Sequence, residues 1–305
     1  MPKAYVFTRN GGPEVEALVD RDMPVPGPGE LLVAVRAAGV NPVDWKLRRG
    51  YVRPGSERQP FPTVLGSEAA GVVEGVGPGV EGFAVGDEVF GNPVTGGYAE
   101  YTLLPVAVTA HKPAELSFTD AAVLPVAAAT AYDGVRQIGP APGSTLLVTG
   151  AGGGVGSAAV QLARHAGARV IGTASADKKD YVESLGAVHV ESGDGIAGRV
   201  RAAAPDGIDA IFDLVGGDTL RAVAPLVDPA RLISAGGKPL AVELGGAAVA
   251  RARDAVVLEA VGDLVVRGVL RTHVTRTFPL ADAGAALRAV ESGHTRGKIV
   301  IEVAG

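Results

Sequence analysis

Ser144-Thr145-Leu146-Leu147-Val148-Thr149-Gly150-Ala151-Gly152-Gly153-Gly154-Val155-Gly156-Ser157 is an apolar strand pattern that runs straight into a glycine-rich turn. A helical pattern follows at once, its apolar face marked by Val155, Ala159, Leu162 and Ala166. Strand, glycine turn and helix in that order predict the phosphate-cradling start of a dinucleotide-binding unit. Glycines let the backbone approach a pyrophosphate, and the helix N-terminus offers N–H groups and a positive dipole end. Ala151 holds the first position of the G-x-G-x-x-G pattern, with Gly153 and Gly156 in the second and third. The chain has 44 glycines, so the run alone reads equally well as a plain loop, and its surroundings must decide.

Those surroundings alternate. Strands are expected at Arg169–Thr173, Val188–Val190, Ile208–Leu214, Arg231–Ser234 and Leu264–Val269, with helices at Lys178–Leu185 and Ile196–Ala203. Such βαβ alternation predicts a doubly wound parallel sheet. Upstream the pattern is different. Short strands cut by Gly and Pro are expected at Leu31–Ala37, Ala69–Val76, Asp87–Phe90 and Tyr98–Leu104, which predicts a β-rich domain. Between the two regions, Thr119–Gln137 reads as a helix that Pro125 must kink or break. The tail offers an amphipathic helix, Asp282–Ser292, with Ala285, Ala286, Ala289 and Val290 as its apolar stripe, and then a closing strand at Gly297–Val303. A strand in that position is expected to return to the N-terminal β domain.

Composition narrows the function. The 305 residues are 47% hydrophobic, enough for two substantial cores, and the net charge of −5 is interspersed. That surface gives no electrostatic reason to bind nucleic acid or an anionic membrane. There are no cysteines, which removes disulfides, thiolate metal sites and cysteine nucleophiles. The N-terminus lacks an apolar signal core, and no stretch nears the roughly 20 apolar residues of a membrane span. A soluble cytoplasmic protein is expected. The histidines (His111, His165, His189, His273 and His294) are scattered, with no metal spacing between them.

The end of the second Rossmann strand selects the dinucleotide. An NAD site places an acid there for the ribose 2′-OH. Here the chain reads Gly172-Thr173-Ala174-Ser175, followed by Asp177, Lys178 and Lys179. A carboxylate would repel a 2′-phosphate, whereas a hydroxyl and an ammonium would hold one. Ser175 and Lys178 therefore point to NADPH. The plainer reading makes both lysines solvated residues of a first helical turn.

Several blocks now resemble a family. These are Ala37–Lys46, Pro62–Val73 continuing to Val85–Val89, Gly97–Tyr101 with Leu124-Pro125 and Thr130-Ala131-Tyr132, Gly150–Gly156 with Asp213–Gly217, and Gly297–Val300. In this order they resemble the zinc-free quinone oxidoreductase branch of the medium-chain dehydrogenase/reductase superfamily, which includes enone and alkenal reductases. The resemblance implies a Rossmann domain inserted into a GroES-like catalytic domain. The expected division is 1–120 for the N-terminal part of the catalytic domain, 121–270 for the NADPH-binding domain and 271–305 for the return. Zinc-dependent relatives carry Cys or His in the first block and Gly-His-Glu in the second. This chain has Asn41, Asp44 and Ser67-Glu68 in those places, so no metal is expected. A tyrosine that many relatives use for the 2′-phosphate is replaced at about Gly193.

The resemblance implies zinc-independent hydride transfer from NADPH to a quinone or α,β-unsaturated carbonyl. Hydrogen-bond donors placed at the acceptor oxygen would stabilise the charge that develops there. Asn41 is the leading candidate, through the acceptor oxygen or the nicotinamide ribose, with a simple Asn-Pro turn as the plain alternative. Lys46 is the second, as a polarising or proton-donating ammonium, and Tyr51 could supply a phenol. The expected cofactor contacts are Asn41, Thr130, Gly152, Gly153, Gly154, Val155, Ser175, Lys178, Leu214, Gly216, Ala235 and Gly236. For Thr130 and the turns after the fourth and fifth strands, local backbone roles stand beside the cofactor role. Two rival functions remain at this point: an enoyl-thioester or carbonyl reductase, and a non-catalytic NADPH-binding protein. A homodimer is expected by resemblance, with Leu264–Val269 as the pairing edge.

Overall fold

The parallel sheet forms around the quoted stretch. In the computed structural model, which describes residues 1–53, 55, 60–293 and 295–303, strand Thr145–Thr149 pairs in parallel with Arg169–Ala174 on one side and Ala210–Asp213 on the other. The full order is Val188–Glu191, Arg169–Ala174, Thr145–Thr149, Ala210–Asp213, Leu232–Ser234, Ala247–Ala248. This is a doubly wound Rossmann arrangement, and it places the glycine turn at a central strand end. Leu147, Ile171 and Ile211 on neighbouring strands share one buried cluster with Ile196, Val200 and Leu220 from the helices packed on the sheet. His294 lies outside the described residues.

The chain divides into two compact units. Residues 127–252 with 267–271 make the parallel-sheet unit, and residues 1–126 with 253–266 and 272–305 make the β-rich unit. In the β-rich unit, the long strand Glu30–Val40 pairs antiparallel with Ala69–Val76, with Tyr101–Pro105 and with the closing strand Lys298–Glu302. The tail therefore returns to the N-terminal sheet, pairing Ile299 with Val40 and Ile301 with Ala38. A second, three-stranded sheet is ordered Glu16–Asp20, Lys3–Phe7, Thr63–Val64.

Pro125 acts as expected. The helical region breaks into Phe118–Ala121, a π-helical turn at Leu124–Ala128 and the helix Ala129–Ile138. The amphipathic tail helix runs from Ala283 to Glu291, and Ala283, Gly284, Ala286, Leu287 and Val290 are its buried residues.

One expected strand is corrected. Leu264–Val269 is no strand, because Leu264 to Val266 end the helix Ala255–Val266. This helix lies in the β-rich unit, although 253–266 was expected in the Rossmann domain. Its composition is apolar nearly throughout, which hides the helical period. Its buried positions, Val257, Leu258, Val261 and Gly262, nevertheless follow a helical spacing. The sixth strand of the parallel sheet is Ala247–Ala248 instead. The dimer edge proposed at Leu264–Val269 loses its basis. Among the described residues, no helix is long and apolar enough to cross a membrane.

Candidate active site

The parallel-sheet unit gathers most of the expected cofactor residues at the carboxyl ends of neighbouring strands. Gly150, at φ 68°, turns the chain out of the first strand, and helix Gly154–His165 starts behind it. The first-turn amides, Gly154 and Val155 among them, have no acceptor within the helix. Gly156 sits so close to the Gly150 carbonyl that a Cβ there would overlap it, so this glycine sets how tightly the helix packs on the turn. A Cβ on Gly152 would stand 2.6 Å from Cδ of Lys178. The Lys178 stem thus lies along the glycine turn, and Ser175 stands at the end of the neighbouring strand. Burial pushes the Lys178 pKa down, and Asp177 pulls it partly back.

Asp213, to which sequence reasoning gave no role, organises the strand ends. Its fully buried carboxylate accepts from Thr149 Oγ1 (2.7 Å), Ser234 Oγ (2.6 Å) and the Gly216 amide (3.0 Å). Thr149 Oγ1 in turn accepts from the Leu214 amide at 2.9 Å, and Ser234 Oγ from the Gly237 amide at 2.7 Å. One carboxylate so joins the ends of three adjacent strands. The turns carrying Leu214, Gly216, Ala235 and Gly236 pack closely enough that a Cβ on Gly236 would overlap the Leu214 backbone.

Two further cations of this unit were missed. Arg199 donates to four successive carbonyls, those of Glu191, Ser192, Gly193 and Asp194, and so fixes the loop that leads into its own helix. Arg251 donates to Thr130 Oγ1 (2.5 Å) and forms an ion pair with Asp133 (2.9 Å). The Thr130 hydroxyl is thus engaged by a guanidinium as well as lying within a helix.

The β-rich unit gathers Asn41, Asp44, Ser67 and Glu68 into one buried network. Asn41 caps helix Pro42–Arg48, and its backbone N–H donates to Asp44 Oδ2 at 2.9 Å. Asp44, wholly buried, also accepts from Ser67 Oγ (2.5 Å) and from the Tyr98 hydroxyl (2.8 Å). Burial raises the Asp44 carboxyl, against these hydrogen bonds, which favour its charged form. Burial, with Asp44 adding to it, raises the Tyr98 phenol well above its usual range. Arg53 donates to Ser67 Oγ. Asn41 Nδ2 donates to Glu68 Oε1 at 2.8 Å, and Lys298 Nζ donates to Asn41 Oδ1 at 2.6 Å and to Glu68 Oε1 at 2.8 Å. Gly39 makes room for this carboxylate, since a Cβ there would overlap it. The amide of Val126, in the π-helical turn after Pro125, donates to Glu68 Oε2 at 2.7 Å.

Lys46 does not join this network. It is exposed on the last turn of its helix, with Nζ 5.6 Å from the Trp45 ring centroid. Tyr51 is 47% exposed and lines a cavity of about 670 Å³ with Arg53, Phe61, Leu65 and Gly66. Met23, Val52 and Val94, all unusually exposed for apolar residues, line the same cavity.

The comparisons with known proteins identify the chain's relatives. Residues 27–114 match the alcohol dehydrogenase GroES-like domain, and residues 185–301 match the zinc-binding dehydrogenase family. The chain is 33% identical to the NADPH-dependent alkenal/one oxidoreductase of Arabidopsis thaliana, over 98% of this chain and 79% of the relative. It is 40% identical to 2-methylene-furan-3-one reductase of Solanum lycopersicum, over 61% of this chain and 50% of the relative. It is 36% identical to a polyketide synthase system protein, NorB, of Streptomyces orinoci, over 90% of this chain and only 13% of the relative. The chain thus spans half the length of the tomato protein and a small part of the Streptomyces one. Among solved structures, the quinone oxidoreductase of Coxiella burnetii matches with a TM-score of 0.89 at 29% identity, covering 99% of both chains. A mycobacterial protein complexed with NADPH matches with a TM-score of 0.87 at 31% identity, over 99% of this chain and all of that one.

Two groups implied by these relatives can be tested against the residues present. NADPH fits, because the glycines leave the backbone bare where a phosphate must approach and a lysine stem lies alongside. A zinc ion does not fit. Asn41, Asp44, Ser67 and Glu68 are committed to one another and to Lys298, and the described residues hold no cluster of three His, Cys, Asp or Glu.

Proposed function

The chain belongs to the quinone oxidoreductase branch of the medium-chain dehydrogenase/reductase superfamily, and we propose that it reduces a quinone or an α,β-unsaturated carbonyl with NADPH. The observation that carries this reading is the bare glycine turn at a central strand end with the Lys178 stem laid against Gly152. Bound NADPH supplies a hydride from its nicotinamide ring. Gly152, Gly153, Gly154 and Val155 hold its pyrophosphate, and Ser175 and Lys178 hold its 2′-phosphate. Leu214, Gly216, Ala235 and Gly236 offer backbone to the ribose and nicotinamide, with Thr130 as a further hydroxyl. In the β-rich unit, the cavity walled by Tyr51, Phe61 and Leu65 takes the apolar body of the acceptor. Asn41 keeps one amide hydrogen beyond the one given to Glu68, and donates it to the acceptor oxygen as charge develops. Lys46, exposed and at a helix end, serves as a proton source from the solvent side.

Purified protein mixed with NADPH or NADH and a panel of quinones and enones tests the reading. Loss of nicotinamide absorbance with NADPH, and a lower KM for it than for NADH, is the expected result. Asn41→Ala should lower kcat by roughly 100-fold while leaving the KM for NADPH unchanged. Tight NADPH binding without turnover on any acceptor would replace this reading with that of a cofactor-binding protein. The similarity to part of a polyketide synthase protein favours one alternative acceptor, an α,β-unsaturated thioester. Faster reduction of enoyl thioesters than of free enones would establish it.

A further inference from the structure

Lys298 reaches the network from the closing strand, and three acceptors meet its nitrogen: Val40 O at 3.1 Å, Asn41 Oδ1 at 2.6 Å and Glu68 Oε1 at 2.8 Å. A neutral lysine has only two N–H donors, so three acceptors match an ammonium. The side chains of this ion pair are 8% and 0% exposed. Glu68 Oε2 is already bound to the Val126 amide, and Gly39 leaves no atom between the carboxylate and the strand. An oxygen cage of this kind would suit a cation, and the chain fills it with its own.

We propose that Lys298 is a tethered cation that positions Asn41 for the reaction. The inference rests on the reading of Asn41 as the donor to the acceptor oxygen. The carboxamide has one orientation that satisfies both neighbours, with its oxygen toward Lys298 and its nitrogen toward Glu68. A half-turn would put the NH₂ group against the ammonium and the oxygen against the carboxylate. The ammonium and carboxylate together therefore fix where the second amide hydrogen lies. Lys298 also neutralises Glu68, which would otherwise stand as a buried charge beside the acceptor oxygen and oppose its growing negative charge. Lys298 need not touch the acceptor, so it is a positioning residue.

The test is removal and chemical rescue. Lys298→Ala deletes a propylammonium fragment from the cage, and added propylammonium can refill it. In the folded variant, kcat should fall at least about tenfold with the KM for NADPH changed by less than about twofold. Propylammonium should restore kcat saturably, and propanol should not. In nitrogen-labelled protein, the Asn41 side-chain NH₂ should be protected from exchange in the wild type, lose protection in Lys298→Ala and regain it with propylammonium. Should Lys298→Ala not fold, Lys298→Ala/Glu68→Gln removes the stranded charge and carries the same readouts for kcat and exchange. A folded variant with wild-type kcat, or with unchanged exchange at Asn41, overturns the proposal. A wild type that turns over no acceptor overturns the proposed function instead, and the exchange measurement still decides the role of Lys298.

Discussion

Lys178 carries a charge whose state a bound phosphate would change. Burial lowers its pKa, and Asp177 offsets part of that effect. A 2′-phosphate beside it favours the ammonium, so binding NADPH must draw in a proton wherever the lysine is partly neutral. The affinity for NADPH should therefore fall as pH rises through the lowered lysine pKa, whereas that for NADH should stay flat. Titration calorimetry of both cofactors across that range checks this, and Lys178→Met should remove the difference. The same variant should weaken NADPH binding by about tenfold, the worth of one charge-assisted hydrogen bond. The position of Ser175 and Lys178 beside the glycine turn was legible in the sequence, because they follow the strand end next to it. The partners of Asn41 were not. Glu68 lies 27 residues away and Lys298 lies 257 residues away, and no local pattern joins them. Lys46 stood beside Asn41 in the sequence, yet the turn of the helix carries it out to solvent.

Elements were legible where their period was clean. Ala69–Val76 and Ile196–Ala203 form at the residues expected, because Gly77-Pro78 closes the first, and Gly195 opens the second with Pro205 just beyond its end. The helix Ala255–Val266 was misread at its end because apolar residues on all sides erase the period. Its start held the signal that could have corrected this: Asp254 accepts from the Val257 amide at 2.9 Å, as an N-capping residue does. The carboxyl ends of the parallel strands pose a different problem. Each turn reads locally as glycine-rich, but their common support is the single carboxylate of Asp213. Asp213→Ala would leave two hydroxyls and the backbone amides of Val215 and Gly216 without their buried acceptor. The expected loss is at least about 3 kcal/mol, at the usual cost of a few unsatisfied buried groups. Urea denaturation should show that loss, and NADPH affinity should fall with it as the turns at Leu214 and Gly236 separate. Intact affinity in a destabilised Asp213→Ala would mean that those turns do not bear on the cofactor.

At the scale of the whole chain, the β-rich unit is assembled from three separated segments, and two ion pairs, Arg48–Glu291 and Lys298–Glu68, join the first segment to the last. Arg48 pairs with Glu16 and Glu291, so the strand Glu16–Asp20, the helix that begins after Asn41 and the tail helix are held at one point. Tyr5 donates to the same Glu16 at 2.9 Å, and Tyr98 donates to Asp44. Both phenols are raised, by burial first and then by those carboxylates. The consequence for stability has a definite sign. An unfolded chain would release these two protons near a pH of about 10, whereas the folded chain keeps them. Above that pH the native state holds more protons than the unfolded one, so stability must fall as pH rises. Lys178 works the other way, since its lowered pKa favours the folded state as pH rises toward the usual lysine range. Denaturant melts taken at rising pH should therefore show a loss of stability that steepens beyond about pH 10, together with tyrosinate absorbance appearing only on unfolding. Tyr98→Phe should make that decline shallower, although its stability near neutral pH drops because Asp44 loses a buried donor. A decline equally steep in Tyr98→Phe and in Tyr5→Phe as in the wild type would place the alkaline sensitivity elsewhere in the chain.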